Sequence, residues 1–133
     1  MSAILRISGK NLALSKLLSD SALLPDSTWE RGQPRFDNEV NDTSGARYVL
    51  SDADMSDLAK QIDESILRLK QDIDNYHYLA NFDGVEWAVL DYGAEISPPG
   101  WSSFTFPPEL NALLGEAGIS LALSVYPVDK DAE

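Results

Sequence analysis

Seven apolar side chains, Met55, Leu58, Ile62, Ile66, Leu69, Ile73 and Tyr76, recur at steps of three and four residues. Such steps follow the 3.6-residue turn, so all seven lie along one face of a helix that needs an apolar surface beneath it. Ser51 with Asp54 three residues later resembles a capping box, with Asp in place of the usual Glu. Asp52, Asp54 and Asp57 also suit the positive end of the helix dipole. The spacing predicts a helix from about Asp52 to about Tyr78.

Something must receive that face, and the end of the chain supplies it. From Ile119 to Tyr126, Ile119, Leu121, Leu123 and Val125 alternate with Ser120, Ala122, Ser124 and Tyr126. A period of two marks a strand with one buried side, as in antiparallel or mixed α+β sheets. Ala3–Ser8, Ala46–Leu50 and Val85–Tyr92 read as further strands, and Thr28–Glu30 as a short one. Leu12–Leu18 is a short amphipathic helix, and Gln33–Ser44 has the composition of a surface loop. Pro108 opens a third helix, Glu109–Glu116, which Gly118 stops. With 133 residues the chain is long enough for one core. The expectation is a single α+β domain, 1–133, with residues 128–133 as a frayed tail. It holds a mostly antiparallel sheet of four or five strands, one long helix and two short helices.

Charge narrows the function. Lys and Arg number 10 against 22 Asp and Glu, a net charge of −12. Residues 1–47 balance at six of each sign, so 48–133 carry the whole excess, 4 basic against 16 acidic. Such a surface repels phosphate backbones and anionic lipids, which argues against nucleic-acid and membrane partners, and it steers a basic partner. Acidity also aids solubility alone. No apolar run approaches a membrane span, and MSAILRISGK lacks the regions of a signal peptide, so the cytoplasm is expected. The absence of cysteine excludes disulfides, thiolate metal sites and a thiol nucleophile.

Residue sets that would name a reaction are missing. His77 is the one histidine, with Asp74 as its one oxygen neighbour on the helix, too few ligands for a metal; in the last turn it is expected to meet the free carbonyls of the helix end instead. Asp52-Ala-Asp54 and Asp72-Ile-Asp74 begin like calcium loops but do not continue as one. No phosphate-binding glycine loop, nucleophile elbow or zinc-protease motif occurs. Arg31, Arg35 and Arg47 surround a loop where they either grip an anion or pair with Glu30, Asp37, Glu39 and Asp42. No catalytic residue, metal or cofactor is expected.

The uncharged stretch SPPGWSSFTFPP, Ser97 to Pro108, holds three aromatic rings between two proline pairs. Phe104 and Phe106 alternate and are expected to face the core together. Trp101 follows Gly100 in a turn and has no evident inward partner, which suits an exposed anchor. The expected partner-binding residues are Trp101 with a rim of Glu86, Asp91 and Glu95.

Several short signatures resemble the bacterial domain-of-unknown-function 4279 family. They are Ile7-Ser8-Gly9, a short Leu-rich helix, Trp29-Glu30-Arg31-Gly32, a long helix, and PPELNALLGEAGISLALSVY from Pro107 to Tyr126. The resemblance implies a small α+β domain and brings no catalytic residue with it. Two functions remain. The first is an acidic module that binds a basic protein, in its sharpest form an immunity protein covering the basic active site of a cognate toxin. The second is a small enzyme or ligand-binding protein that uses surface carboxylates.

Overall fold

The computed structural model describes residues 2–98 and 100–128, so Pro99 and most of the expected tail, 129–133, lie outside it. Five strands form one sheet: β1 (Ala3–Gly9), β2 (Ser27–Trp29), β3 (Ser44–Ser51), β4 (Trp87–Ile96) and β5 (Ser120–Pro127). Their spatial order is β2-β3-β1-β4-β5. Three pairings are antiparallel and β4–β5 is parallel. The sheet is therefore mostly antiparallel, as expected from the alternating pattern. The parallel pair needs a crossover, and the strap with its helix makes it. Val128 of the expected frayed tail is tied down, its N–H donating to the Ile96 carbonyl at 2.9 Å.

The described residues form four helices, not three: α1 (Leu14–Asp20), α2 (Leu58–Gln71), α3 (Ile73–Ala80) and α4 (Pro108–Ala117). The expected long helix begins six residues late and is broken once. At its start, Ser51 belongs to β3, where its hydroxyl donates to Glu64 and accepts from the Ala53 N–H. The cap is Asp57, which accepts from the Lys60 N–H. Residues 52–57 instead run beside β4, where the Met55 carbonyl accepts from the Glu95 N–H. The break falls at Asp72, whose backbone leaves the helical region (φ −130°, ψ 34°) and serves as both last cap and first. Aspartate favours helix ends over interiors. The turn there re-aims the buried stripe, so that Tyr76 and Leu79 of α3 join Leu69 of α2 in the core.

One cluster unites Leu5 and Ile7 of β1, Leu50 of β3, Leu90 and Tyr92 of β4, and buried residues of all four helices. All helices thus lie on one face of the sheet. Two polar residues of α2, Gln61 and Ser65, are fully buried on this face. The Gln61 amide donates to the carbonyls of Asp54 (3.2 Å) and Gly93 (2.7 Å), and Ser65 shares a 2.5 Å hydrogen bond with the Tyr92 hydroxyl. These bonds fix α2 against β4.

Burial pushes the Tyr48 and Tyr92 phenols up to about 12; the neighbouring Tyr76 adds to the first, and the Ser65 hydrogen bond partly offsets the second. A raised folded-state value means that the neutral phenol contributes stability below its ordinary value of about 10, which is lost as pH rises through 12. Urea midpoints are therefore expected to fall from pH 9.5 to pH 11.5 less steeply in Tyr92→Phe than in the natural chain. Equal slopes would show that this phenol does not resist ionisation.

Candidate functional site

The sheet has a second face, and no helix covers it among the described residues. On β4 the alternation sends Ala88, Leu90, Tyr92 and Ala94 to the core, and Trp87, Val89, Asp91 and Glu95 to the open side. Register places Trp87 beside Ser8, Asp91 beside Ile4 and Ala122, and Glu95 beside Tyr126. Tyr126 is 48% exposed and Trp87 about as much. Neither ring was picked out from the sequence, although both occupy the outward positions of strands whose alternation was visible.

The four expected partner-binding residues do not form one patch. Glu86 and Glu95 stand nine residues apart along an extended chain, about 30 Å. Glu86 sits at the far end, accepting from the Lys10 N–H at 2.6 Å. Asp91 is not a free rim acid. Its carboxylate takes Arg6 at 3.0 Å and the Ser124 hydroxyl at 2.9 and 3.0 Å, and its side chain is only 15% exposed. The partner explains the difference: Arg6 lies 85 residues away in sequence and next door in the sheet. Glu95 has no side-chain partner among the described residues, and it lies at the end of β4 from which the strap departs.

Trp101 is 76% exposed. Phe106 packs against the core, its ring centroid 5.5 Å from that of Tyr92. Phe104 is half-buried beside Leu58, Ala59 and Ile62 of α2. The strap is thus fastened at its second half and presents one ring at its first. Pro107 caps α4 and Pro108 occupies its first turn, as expected.

Charge separates across the fold. From Gln71 to Val128 the chain contains no Lys or Arg and eight acids. This stretch is α3, β4, the strap, α4 and β5. Among the described residues two cations reach into it from elsewhere, Arg6 to Asp91 and Lys70 to Glu109 at 2.9 Å. Of the three arginines near the long loop, Arg35 and Arg47 line one cleft and Arg31 does not. Arg31 donates to the Lys10 carbonyl, Arg35 pairs with Asp37 at 2.7 Å, and Arg47 stacks 4.7 Å from the Trp29 ring centroid. His77 is exposed in the last turn of α3, and its carbonyl accepts from Asn81. Among the described residues, no three His, Asp or Glu side chains gather as a metal ion would require, and no helix is long and apolar enough to cross a membrane.

A family model described as Domain of unknown function (DUF4279) matches residues 1–128. No curated protein and no solved structure matches the chain.

Proposed function

We propose that this chain, which belongs to the DUF4279 family, is a non-enzymatic module that binds a basic protein, acting as an immunity-type inhibitor that covers the basic active site of a cognate toxin. One observation carries the reading. The half of the fold without basic residues carries exposed rings, Trp101 and Tyr126 among them, and Tyr126 stands in register beside Glu95, whose carboxylate has no side-chain partner among the described residues. Aromatic anchors with an acidic rim suit a cationic surface, the rings supplying buried area and the acids long-range attraction.

The test is kinetic. The chain is purified from its native host with bound proteins, the partner is identified by mass spectrometry, and association is measured over a range of salt. Trp101→Ala is expected to speed dissociation, weakening affinity by about 2 kcal/mol or roughly thirtyfold. Glu95→Lys is expected to slow association and flatten its salt dependence while changing dissociation little. Asp91→Lys is a poor probe, because it sets a second cation against Arg6 within the sheet. If no protein co-purifies, and a small metabolite stabilises the fold instead, the module reading fails and the ligand-binding one replaces it.

A further inference from the structure

A cleft of about 370 Å³ lies far from that surface, in the size range of small-ligand sites. It exists because β2 is too short. Its three residues pair only with Gly45–Arg47, so from Tyr48 onward the outer margin of β3 meets no strand. Leu23, Leu24 and Asp26 of the α1–β2 connection form one wall there, and Glu64, Arg68 and Tyr76 of the helices form another. Asp26 is anchored at the margin, its N–H donating to the Arg47 carbonyl and its Oδ2 accepting from the Val49 N–H, both at 2.7 Å.

Tyr48 also lines this cleft. It is 4% exposed, yet its buried hydroxyl has no hydrogen-bond partner among the described residues. Such an orphan is costly in a folded protein and asks for an explanation. Around it stand acceptors with spare capacity. Asp26 uses one oxygen for Val49, and Glu64 uses Oε1 for the Ser51 hydroxyl. Arg68 makes no ion pair among the described residues, although it lines the same cleft as both carboxylates. Burial raises the Tyr76 phenol, with Asp72 and Asp26 adding and Arg68 opposing, so it too remains a neutral hydroxyl at physiological pH.

We propose that this cleft binds a primary ammonium or guanidinium group carried on an aliphatic stem. The cation's N–H groups are received by Asp26, Glu64 and the Tyr48 oxygen; a carboxylate ligand would accept from Tyr48 and Arg68 but would face two like charges at Asp26 and Glu64. Leu23 and Leu24 cover the stem. Arg68, attached to the rim, competes with the incoming cation. The inference goes beyond the partner reading and stands without it. The same group has two sources, a free small amine or the lysine or arginine side chain of a protein.

The test is an NMR titration of the whole chain at fixed ionic strength. The probes are n-butylammonium, propylguanidinium, and the N-acetyl amides of lysine and arginine, with tetramethylammonium and acetate as controls. Saturable shifts are expected at Leu23–Asp26, Tyr48–Val49 and Glu64–Arg68. Glu64→Gln keeps an acceptor for Ser51 but removes the charge, and is expected to weaken binding about tenfold. Tyr48→Phe should weaken it severalfold while leaving the unliganded fold at least as stable. Arg68→Gln should tighten it. Saturation by the free alkyl cations points to a small amine, and saturation by the amino-acid amides alone points to a protein side chain. Shifts no larger than those of tetramethylammonium overturn the proposal, as does indifference to Glu64→Gln. Acetate binding that Arg68→Gln abolishes overturns it in favour of an anion site. If the cations bind but no protein partner is found, the partner reading falls alone. If a partner binds and the cations do not, this inference falls alone.

Discussion

Gly9→Ala is expected to destabilise the fold by about 3 kcal/mol or more, at the upper end of overpacking costs. A Cβ at Gly9 would lie 1.9 Å from the Gly84 carbonyl oxygen and 3.2 Å from the Glu86 nitrogen. Both are main-chain atoms, and neither is free to retreat. Gly9 ends the central strand, which is hydrogen-bonded on both sides, and the Glu86 N–H donates to the Ser8 carbonyl at 2.9 Å. Gly84 itself has φ +93°, a backbone region that suits glycine, and its own added Cβ would meet the Asn11 carbonyl at 2.8 Å. Two glycines therefore interlock where the first strand meets the turn before β4. Urea denaturation measures the loss, and an unchanged midpoint would mean that the turn yields. Gly115→Ala is the control. Nothing stands within 4 Å of its Cβ position in α4, so alanine should gain roughly 0.5–1 kcal/mol there.

The second large effect belongs to Leu69. It is fully buried in the central cluster, whereas Ile66 only packs against the margin of that cluster. Leu69→Ala is expected to cost about 2–5 kcal/mol by leaving a cavity, and Ile66→Ala distinctly less, because its site is already partly open. Both residues lie on the apolar stripe visible in the sequence, and only the structure ranks them. Equal urea midpoints for the two variants would contradict the burial described for α2.

The helical stripe and the alternation of the last strand as far as Leu123 were legible because each is a local pattern repeated within one element; Val125, expected on the buried side, is 42% exposed. Gln61 and Ser65 were not legible, since a count of apolar residues passes over them. Their burial depends on the Gly93 carbonyl and the Tyr92 hydroxyl, more than 25 residues away. The break at Asp72 carries no glycine or proline to announce it. The same blindness to distant partners put Asp91 on the rim beside Glu95, when Arg6 holds it within the sheet. Trp101 was legible as the one strap ring without an inward partner. The cleft beside Tyr48 was not: a short strand at Thr28–Glu30 was expected, but that it pairs only with Gly45–Arg47 and leaves the margin of β3 open depends on register between distant segments.

The strand order also sets a timetable. β1 is translated before both of its neighbours in the sheet, β3 and β4. The second of these is not made until Trp87–Ile96 has been translated. At about 5–20 residues per second, the roughly 80 residues between them take some 4–16 s. For that interval the central strand, with Leu5 and Ile7 on its apolar face, has an unpaired margin open to other chains. The growing polypeptide is therefore most exposed to misassociation before its fourth strand exists, and pairing of β4 with β1, not completion of the last helix, closes that window.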